Sequence, residues 1–327
     1  MKPTIAITAG DLAGIGPEII AKALNHQAVY ESANFLIIGD RHHILKNFQN
    51  YSQHQLEQIC LLESYSPPNA PISIVDITQH ADLSSIKAGQ LSALSGQWSF
   101  NFLEYGINLV KQGQSQALVT APINKTTWKM ATINYPGHTE VIARQTNTTN
   151  YAMAFYSEPL KIILETIHIP LSQVATRISQ QTIYNKIILA HQFLKQLGFI
   201  EPRIGVAGLN PHAGEHGLLG QEDSTIILPA VEQAKSQGIN VAGPLPADTI
   251  FYAAYQEKKF DMLVAMYHDQ GLAPLKMVAI HDAVNITLGL PIIRTSPDHG
   301  TAYDIAGQGI ANESSMLEAL KLALKLA

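Results

Sequence analysis

The sequence predicts an α/β protein with a mostly parallel central sheet, on three observations. Short β-rich runs alternate with helical patterns along the chain. Several of these runs lead straight into polar, glycine- or histidine-bearing turns, which is where parallel sheets collect their ligands. The chain has 327 residues and 46% hydrophobic content, enough for a large core and for two lobes.

In order, the strands are expected at 4–8, 35–38, 117–120, 161–166, 203–208, 262–266 and 285–288, the last within a strand-like stretch that reaches 293. The helices are expected at 16–25, 89–111, 182–197, 225–237, 249–257 and 314–326. Segment 51–88 holds Pro67, Pro68 and Pro71 and reads as loop with short strands. With no linker of disordered composition, the division is placed by pattern. One lobe is built from both termini, 1–130 with 281–327, and a middle lobe spans 131–280.

Composition excludes several function classes. The net charge is −5 and no Lys/Arg run or basic stripe appears, so nucleic acid is not an expected partner. Charged residues make up only 14%, which fits either a subunit that hides surface in an oligomer or a large core. One cysteine, Cys60, allows no internal disulfide and fits a reducing compartment. The opening MKPTIAITAGD carries an apolar run too short for a secretory signal, broken by Gly10 and Asp11. No stretch approaches the roughly 18 apolar residues of a membrane span, so a cytoplasmic protein is expected.

The chemistry gathers at strand ends. Three consecutive candidate strands run into histidines, as Glu165-Thr166-Ile167-His168, Leu209-Asn210-Pro211-His212 and Met266-Tyr267-His268-Asp269. Three neutral imidazoles converging from three strand ends would bind a divalent cation and leave a coordination position open. Against this, a single histidine is more often a surface or hydrogen-bonded core residue. The turn Gly10-Asp11-Leu12-Ala13-Gly14-Ile15-Gly16-Pro17 starts a helix that either holds an anion or only turns the chain. In Pro136-Gly137-His138-Thr139-Glu140, His138 and Thr139 either bind phosphate or cap a helix through Thr139. The segment NPHAGEHGLLGQED at 210–223 is a long polar loop of the kind that carries function. Asp248 in PLPADT stands at a helix start, as a functional carboxylate or an N-cap. Lys276, eight residues past His268, is either a base tuned by a nearby cation or a solvated charge. In Arg294-Thr295-Ser296-Pro297-Asp298-His299-Gly300-Thr301, Arg294 suits a carboxylate or phosphate, and Asp298 with the glycine turn suits a nucleotide; a surface turn with an ion pair is the alternative.

As an ordered set, GDLAGIGPE, TAPINK, PGHTE, ETIHIPL, LNPHAGE, GPLPADT, AMYHDQGLAPLK and VNITLGLPIIRTSPDHGTAYDIAG resembles the 4-hydroxythreonine-4-phosphate dehydrogenases of pyridoxal phosphate synthesis, from about residue 4 to the C-terminus. The resemblance implies a two-lobed, isocitrate/isopropylmalate-dehydrogenase-like three-layer α/β/α fold. It also implies a homodimer with active sites at the subunit interface. The family's metal ligands match His168, His212 and His268, one from a different subunit than the other two. Its substrate positions match His138, Thr139, Lys276, Asn285 and Arg294. NAD or NADP and one divalent metal per subunit (Zn, Co or Mg) are implied, with Asp298, Gly300 and Thr301 toward the cofactor. Lys276 is the implied catalytic base and Asp248 a second candidate. The implied reaction oxidises 4-phosphooxy-L-threonine to 2-amino-3-oxo-4-phosphooxybutanoate, which decarboxylates to 3-amino-2-oxopropyl phosphate.

The sequence departs from the family pattern at Leu12, His216, Leu218 and Ile280-His281-Asp282, none of them a ligand position. A sister branch that oxidises phosphorylated threonate- or erythronate-type sugar acids is the alternative substrate reading. A metal-dependent hydrolase or lyase would suit the same three histidines, and a non-catalytic binding protein would suit the same fold. The segment TSPDHGTAYDIAG, which resembles a nucleotide-binding part of the dehydrogenases, weighs against the hydrolase, and the retained polar positions weigh against the binding protein.

Overall fold

A computed structural model describes residues 2–51, 53–79 and 81–327. The chain forms two compact units, Met1–Thr148 with Leu290–Ala327, and Thr149–Gly289. Helices pack on both sides of mostly parallel sheets, as the sequence predicts. Among the described residues no helix is long and apolar enough to cross a membrane.

The first unit contains β1 (Thr4–Thr8), β2 (Asn34–Gly39), β3 (Ile59–Leu62), β4 (Ile72–Asp76), β5 (Ala117–Thr120) and β12 (Ile293–Pro297). Their order is β3-β4-β2-β1-β5-β12, and each adjacent pair is parallel. β1 and β4 are buried along their whole length, which explains why apolar runs such as TIAIT show no polar alternation. From β1 the chain moves outward to β2, and β5 later returns on the other side of β1. That reversal opens a crevice at the carboxyl ends of β1 and β5.

The second unit contains β6 (Ala152–Tyr156), β7 (Lys161–Leu164), β8 (Ile204–Ala207), β9 (Val241–Leu245), β10 (Met262–Ala265) and β11 (Val284–Leu288), in the order β11-β6-β7-β10-β8-β9. β11, β6 and β7 pair antiparallel; β7, β10, β8 and β9 pair parallel. β10 lies between β7 and β8, with Leu263 facing Ile162 on one side and Gly205 on the other. A Cβ at Gly205 would lie 2.7 Å from Leu263 Cδ2, so a side chain there would require the Leu263 terminal methyl to shift. The outward step to β9 and the return to β10 put a second reversal between β8 and β10.

Four expectations are corrected. The strand-like stretch 285–293 is two strands, because Gly289 takes φ +86° and a Cβ there would lie 2.4 Å from Asn150 O. The helix expected at 225–237 opens with a π-helical turn, Asp223–Ile227, before the α-helix Leu228–Ser236. Pro229 lacks the N–H that a regular α-turn would use there. The helix expected from 89 begins at Ala93, where Ser92 accepts a hydrogen bond from Ser95 N. Helices at Arg41–Tyr51, Lys125–Met130 and His268–Ala279 were not among the expected elements, while His138–Gln145 begins where the PGHTE turn suggests a helix start.

The glycine-rich turn after β1 is a packing device. Asp11 is fully buried, and its carboxylate accepts hydrogen bonds from Ala13 N (3.0 Å), Thr127 Oγ1 (2.9 Å), Tyr303 OH (2.7 Å) and the Ser95 hydroxyl. One carboxylate thus joins four segments distant in sequence, and burial with the nearby Asp11 charge pushes the Tyr303 phenol well up from its ordinary value. Gly16 leaves no room for a side chain, since a Cβ there would lie 2.3 Å from Ala9 O. Glu18 in the following helix accepts from Lys22 Nζ (2.9 Å) and Ala311 N (2.9 Å).

Gly10→Ala should destabilise the protein by about 2 kcal/mol or more, because φ is left-handed and the new methyl would meet a backbone oxygen. The angle is +71° and the distance to Pro122 O would be 2.4 Å. Urea unfolding measures this; an unchanged midpoint would contradict the packing role.

Candidate active site

Polar groups gather at two places, one in each unit. In the first unit the carboxyl end of β5 and the neighbouring β12 supply Thr120 and Arg294. Arg294 is only 4% exposed, and its Nε and Nη2 both donate to Thr120 Oγ1, at 3.1 and 2.8 Å. Burial lowers its pKa to about 10, partly opposed by Glu140, so it remains a cation at neutral pH. The helix His138–Gln145 starts beside it with Gly137 at the N-cap. Thr139 is therefore buried inside the first turn and does not cap that helix.

His138 holds the unusual position. Its ring lies edge-on to Trp128 at 5.8 Å, and Trp128 is fixed by donating its indole N–H to Ser99 Oγ at 2.8 Å. The His138 Nε2 is withdrawn from water and has no hydrogen-bond partner within the protein. Burial, then the charges of Arg294 and Lys125, hold the imidazole well below its ordinary pKa. A neutral ring with a spare nitrogen beside two cations suits an anionic group that brings its own proton or raises the ring's affinity for one. Lys125, in the TAPINK turn after β5, belongs to this cluster, although the sequence marked only its segment.

In the second unit the loops after β7, β10 and β8 carry His168, His268 and His212. The reversal between β8 and β10 separates the His212 and His268 loops, as a crevice requires. His168 and His268 meet, with ring centroids 5.6 Å apart. His268 Nδ1 lies 2.7 Å from Asp269 Oδ1. A carboxylate can only accept, so Nδ1 carries the proton and the Nε2 lone pair is available to a metal. His212 is exposed on a turn of unusual backbone: His212, Ala213, Gly214, Glu215 and His216 all have φ between 44° and 81°. Left-handed conformation costs roughly 1–2 kcal/mol per non-glycine residue, so such a turn persists only when its surroundings fix it. Among the described residues no three His, Cys, Asp or Glu side chains come together within the chain. Gln270, 9% exposed, joins the two loops by accepting from Met266 N (2.6 Å) and donating to Gly208 O (2.7 Å).

The remaining candidates are dispersed. Lys276 is exposed in the last turn of the helix His268–Ala279, about 12 Å along its axis from His268 at 1.5 Å per residue. Asp248 is exposed in the first turn of Ala247–Tyr255 with no capping bond from its side chain. It lines a cavity of about 580 Å³ with Tyr252, Tyr267, Asp269 and Met277. Asn285 is half-buried in β11. Beyond β12, Asp298 is half-buried and its N–H donates to Ser315 Oγ at 2.9 Å. Gly300 is exposed with open space about it, whereas Thr301 is buried, and its carbonyl accepts from Ile15 N at 3.1 Å. Sequence reasoning did not single out Gln270 or Asp223, whose buried polar side chains have no periodic signature.

The model of the family described as "Pyridoxal phosphate biosynthetic protein PdxA" matches residues 31–323. A 4-hydroxythreonine-4-phosphate dehydrogenase of Desulforapulum autotrophicum is 44% identical, over 98% of this chain and 95% of its own length. A D-threonate 4-phosphate dehydrogenase of Salmonella typhimurium is 43% identical, over 99% of both. The crystal structure of a 4-hydroxythreonine-4-phosphate dehydrogenase from Klebsiella pneumoniae superposes with a TM-score of 0.86 at 39% identity, covering 100% of this chain and 98% of the other. Isocitrate dehydrogenase from Methylococcus capsulatus shares the fold, with a TM-score of 0.51 at 12% identity, over 99% of this chain and 85% of its own.

The His138 ring, followed by NMR, should titrate well below its ordinary 6.5. Because the folded pKa is depressed, the unfolded chain takes up the proton first, so His138 removes stability as pH falls below about 6.5. Added inorganic phosphate should raise the midpoint; a free-protein midpoint at the ordinary value would contradict the buried, cation-flanked setting.

Proposed function

Starting from a chain that belongs to the PdxA family, we propose that this protein is a metal- and NAD(P)-dependent dehydrogenase. Its substrate is 4-phosphooxy-L-threonine, and the β-keto acid formed loses CO₂ to give 3-amino-2-oxopropyl phosphate. The observation that carries the reading is the pairing of His168 with His268 at the ends of adjacent parallel strands.

Two imidazoles, one with its proton directed away by Asp269, form a donor set that fits a divalent cation such as Zn²⁺ or Co²⁺. When bound, the cation lowers the pKa of the substrate's C3 hydroxyl. A nicotinamide, when bound, supplies the acceptor for the hydride leaving C3. Since His212 does not complete a three-ligand group within one chain, we assign it to the site of a second copy, which makes the active unit a homodimer. The exposed Tyr252, Met277 and Ile280 (62%, 83% and 62%) offer the second unit's surface an apolar contact suited to such a partner.

Arg294, His138, Thr139 and Lys125 bind the substrate's phosphate, which anchors it away from the reacting carbon. Lys276, or a water it orders, takes the hydroxyl proton, with Asp248 as the second candidate. The separation of Lys276 from His268 along one helix supports its acting in the site of the other copy. Asn285 orients the substrate. Asp298 and the exposed backbone at Gly300 serve the nicotinamide cofactor, with Thr301 fixing the turn from its buried position. The protein works in the cytoplasm.

A second substrate is supported by one observation: relatives named for D-threonate 4-phosphate match as well as those named for 4-hydroxythreonine 4-phosphate, at 43% and 44%. Purified protein is to be given each substrate with NAD⁺ and Zn²⁺, and absorbance of the reduced nicotinamide followed. Turnover of 4-phosphooxy-L-threonine, abolished by chelation and at least about tenfold faster than with the sugar acid, is expected, a ratio within reach of one polar contact. Faster turnover of the sugar acid would move the protein to that substrate, and turnover unaffected by chelation would remove the metal from the mechanism.

A further inference from the structure

The turn that carries His212 is held at its base by one buried carboxylate. Asp223 is 1% exposed. Its Oδ1 accepts from Leu209 N at 2.8 Å, and its Oδ2 accepts from Asn210 N at 3.1 Å and Asn210 Nδ2 at 2.9 Å. Glu222 Oε2 takes the same Asn210 amide at 2.8 Å, so the side chain two positions before His212 is gripped by two carboxylates. The turn also wraps closely on Asp223. A Cβ on Gly208 would lie 2.8 Å from Asp223 Oδ1, and one on Gly214 would lie 3.3 Å from Asp223 Cβ. The π-helical turn Asp223–Ile227 presents the carboxylate back toward the end of β8.

These contacts surround the five left-handed residues 212–216, which local preference alone would not hold. We infer that Asp223 is a positioning residue for metal binding: by gripping Leu209 and Asn210 it fixes the left-handed turn and aims the His212 imidazole. This rests on the reading of His212 as a ligand. Asp223 need not touch the metal. It holds the backbone that carries the ligand, and residues of that kind tune metal affinity strongly.

Asp223→Asn would turn an amide N–H₂ toward groups that are themselves donors and loosen the turn without emptying the space. Asn210→Ala removes the gripped side chain and leaves the carboxylate to the two backbone N–H groups. Metal-free full-length protein is to be titrated with Co²⁺ by calorimetry and by visible absorption, which reports coordination directly, with unfolding of the metal-free protein in urea as the measure of general damage. Asp223→Asn should weaken Co²⁺ binding by about 10–100-fold and alter the absorption band, while the urea midpoint of the metal-free protein moves little. Asn210→Ala should show a smaller loss in the same direction, and it decides the matter if Asp223→Asn does not fold. His212→Ala serves as the reference. Wild-type Co²⁺ affinity and spectrum in both clamp variants, with affinity lost in His212→Ala, would overturn the inference and leave the ligand reading standing. Undiminished affinity in His212→Ala would overturn the ligand reading itself.

Discussion

Because β10 returns to lie between β7 and β8, three loops of independent sequence emerge side by side from one sheet edge. Everything proposed for the second unit depends on that insertion. The strands are apolar and buried, so their register leaves no freedom to slide without exposing one face of the core. The carboxyl ends are then fixed relative to each other. His168 and His268 meet because their strands are neighbours, not because their sequences are related. Gln270 ties the His268 loop to the end of β8 across the reversal, and Asp223 ties the His212 loop to its own base. The metal site proposed here would have its rigidity in buried hydrogen bonds away from the ligands.

The first unit solves a different problem, holding an arginine and a histidine out of water beside a lysine. Arg294 donates to Thr120, while burial, then the charges of Arg294 and Lys125, hold His138 well below its ordinary pKa. Such an arrangement is the kind that would favour an anion, which is the role proposed for it. The scaffold beneath it is tightly specified. Asp11 gathers four donors, and Gly10 and Gly16 allow backbone to approach backbone. The conspicuous glycine-rich segment after β1 therefore acts through packing, and the anion-binding chemistry is proposed for the less conspicuous TAPINK and PGHTE segments.

His168, His212 and His268 lie in loops after β7, β8 and β10, as the strand-end reading expects, because an apolar run followed by a polar turn is a local signal. β1 and β5 were read at their observed bounds for the same reason. What escaped notice was non-local or conformational. The antiparallel β6 is a short run, AMAFY, whose strand character comes from pairing with β7 and β11. The break at Gly289 follows from its close approach to Asn150, which sequence does not display. The π-helical turn before Pro229 and the left-handed run at 212–216 look like ordinary helix and loop in sequence. Thr139 and Asp248 were each open to a capping role; Gly137 and Pro246 take those N-cap positions, so neither side chain caps its helix. That His212 forms no three-ligand group with the His168–His268 pair within one chain could emerge only from the geometry.

The central claim is that one catalytic site draws His168 from one copy and His212 from another. It is tested most directly by mixing two variants, His168→Ala and His212→Ala, each inactive alone, after subunit exchange in mild denaturant. The account predicts recovery to about a quarter of wild-type activity, since about half the dimers would be mixed and each would retain one intact site of two. No recovery after demonstrated exchange would place both ligands in the same copy and contradict the shared site.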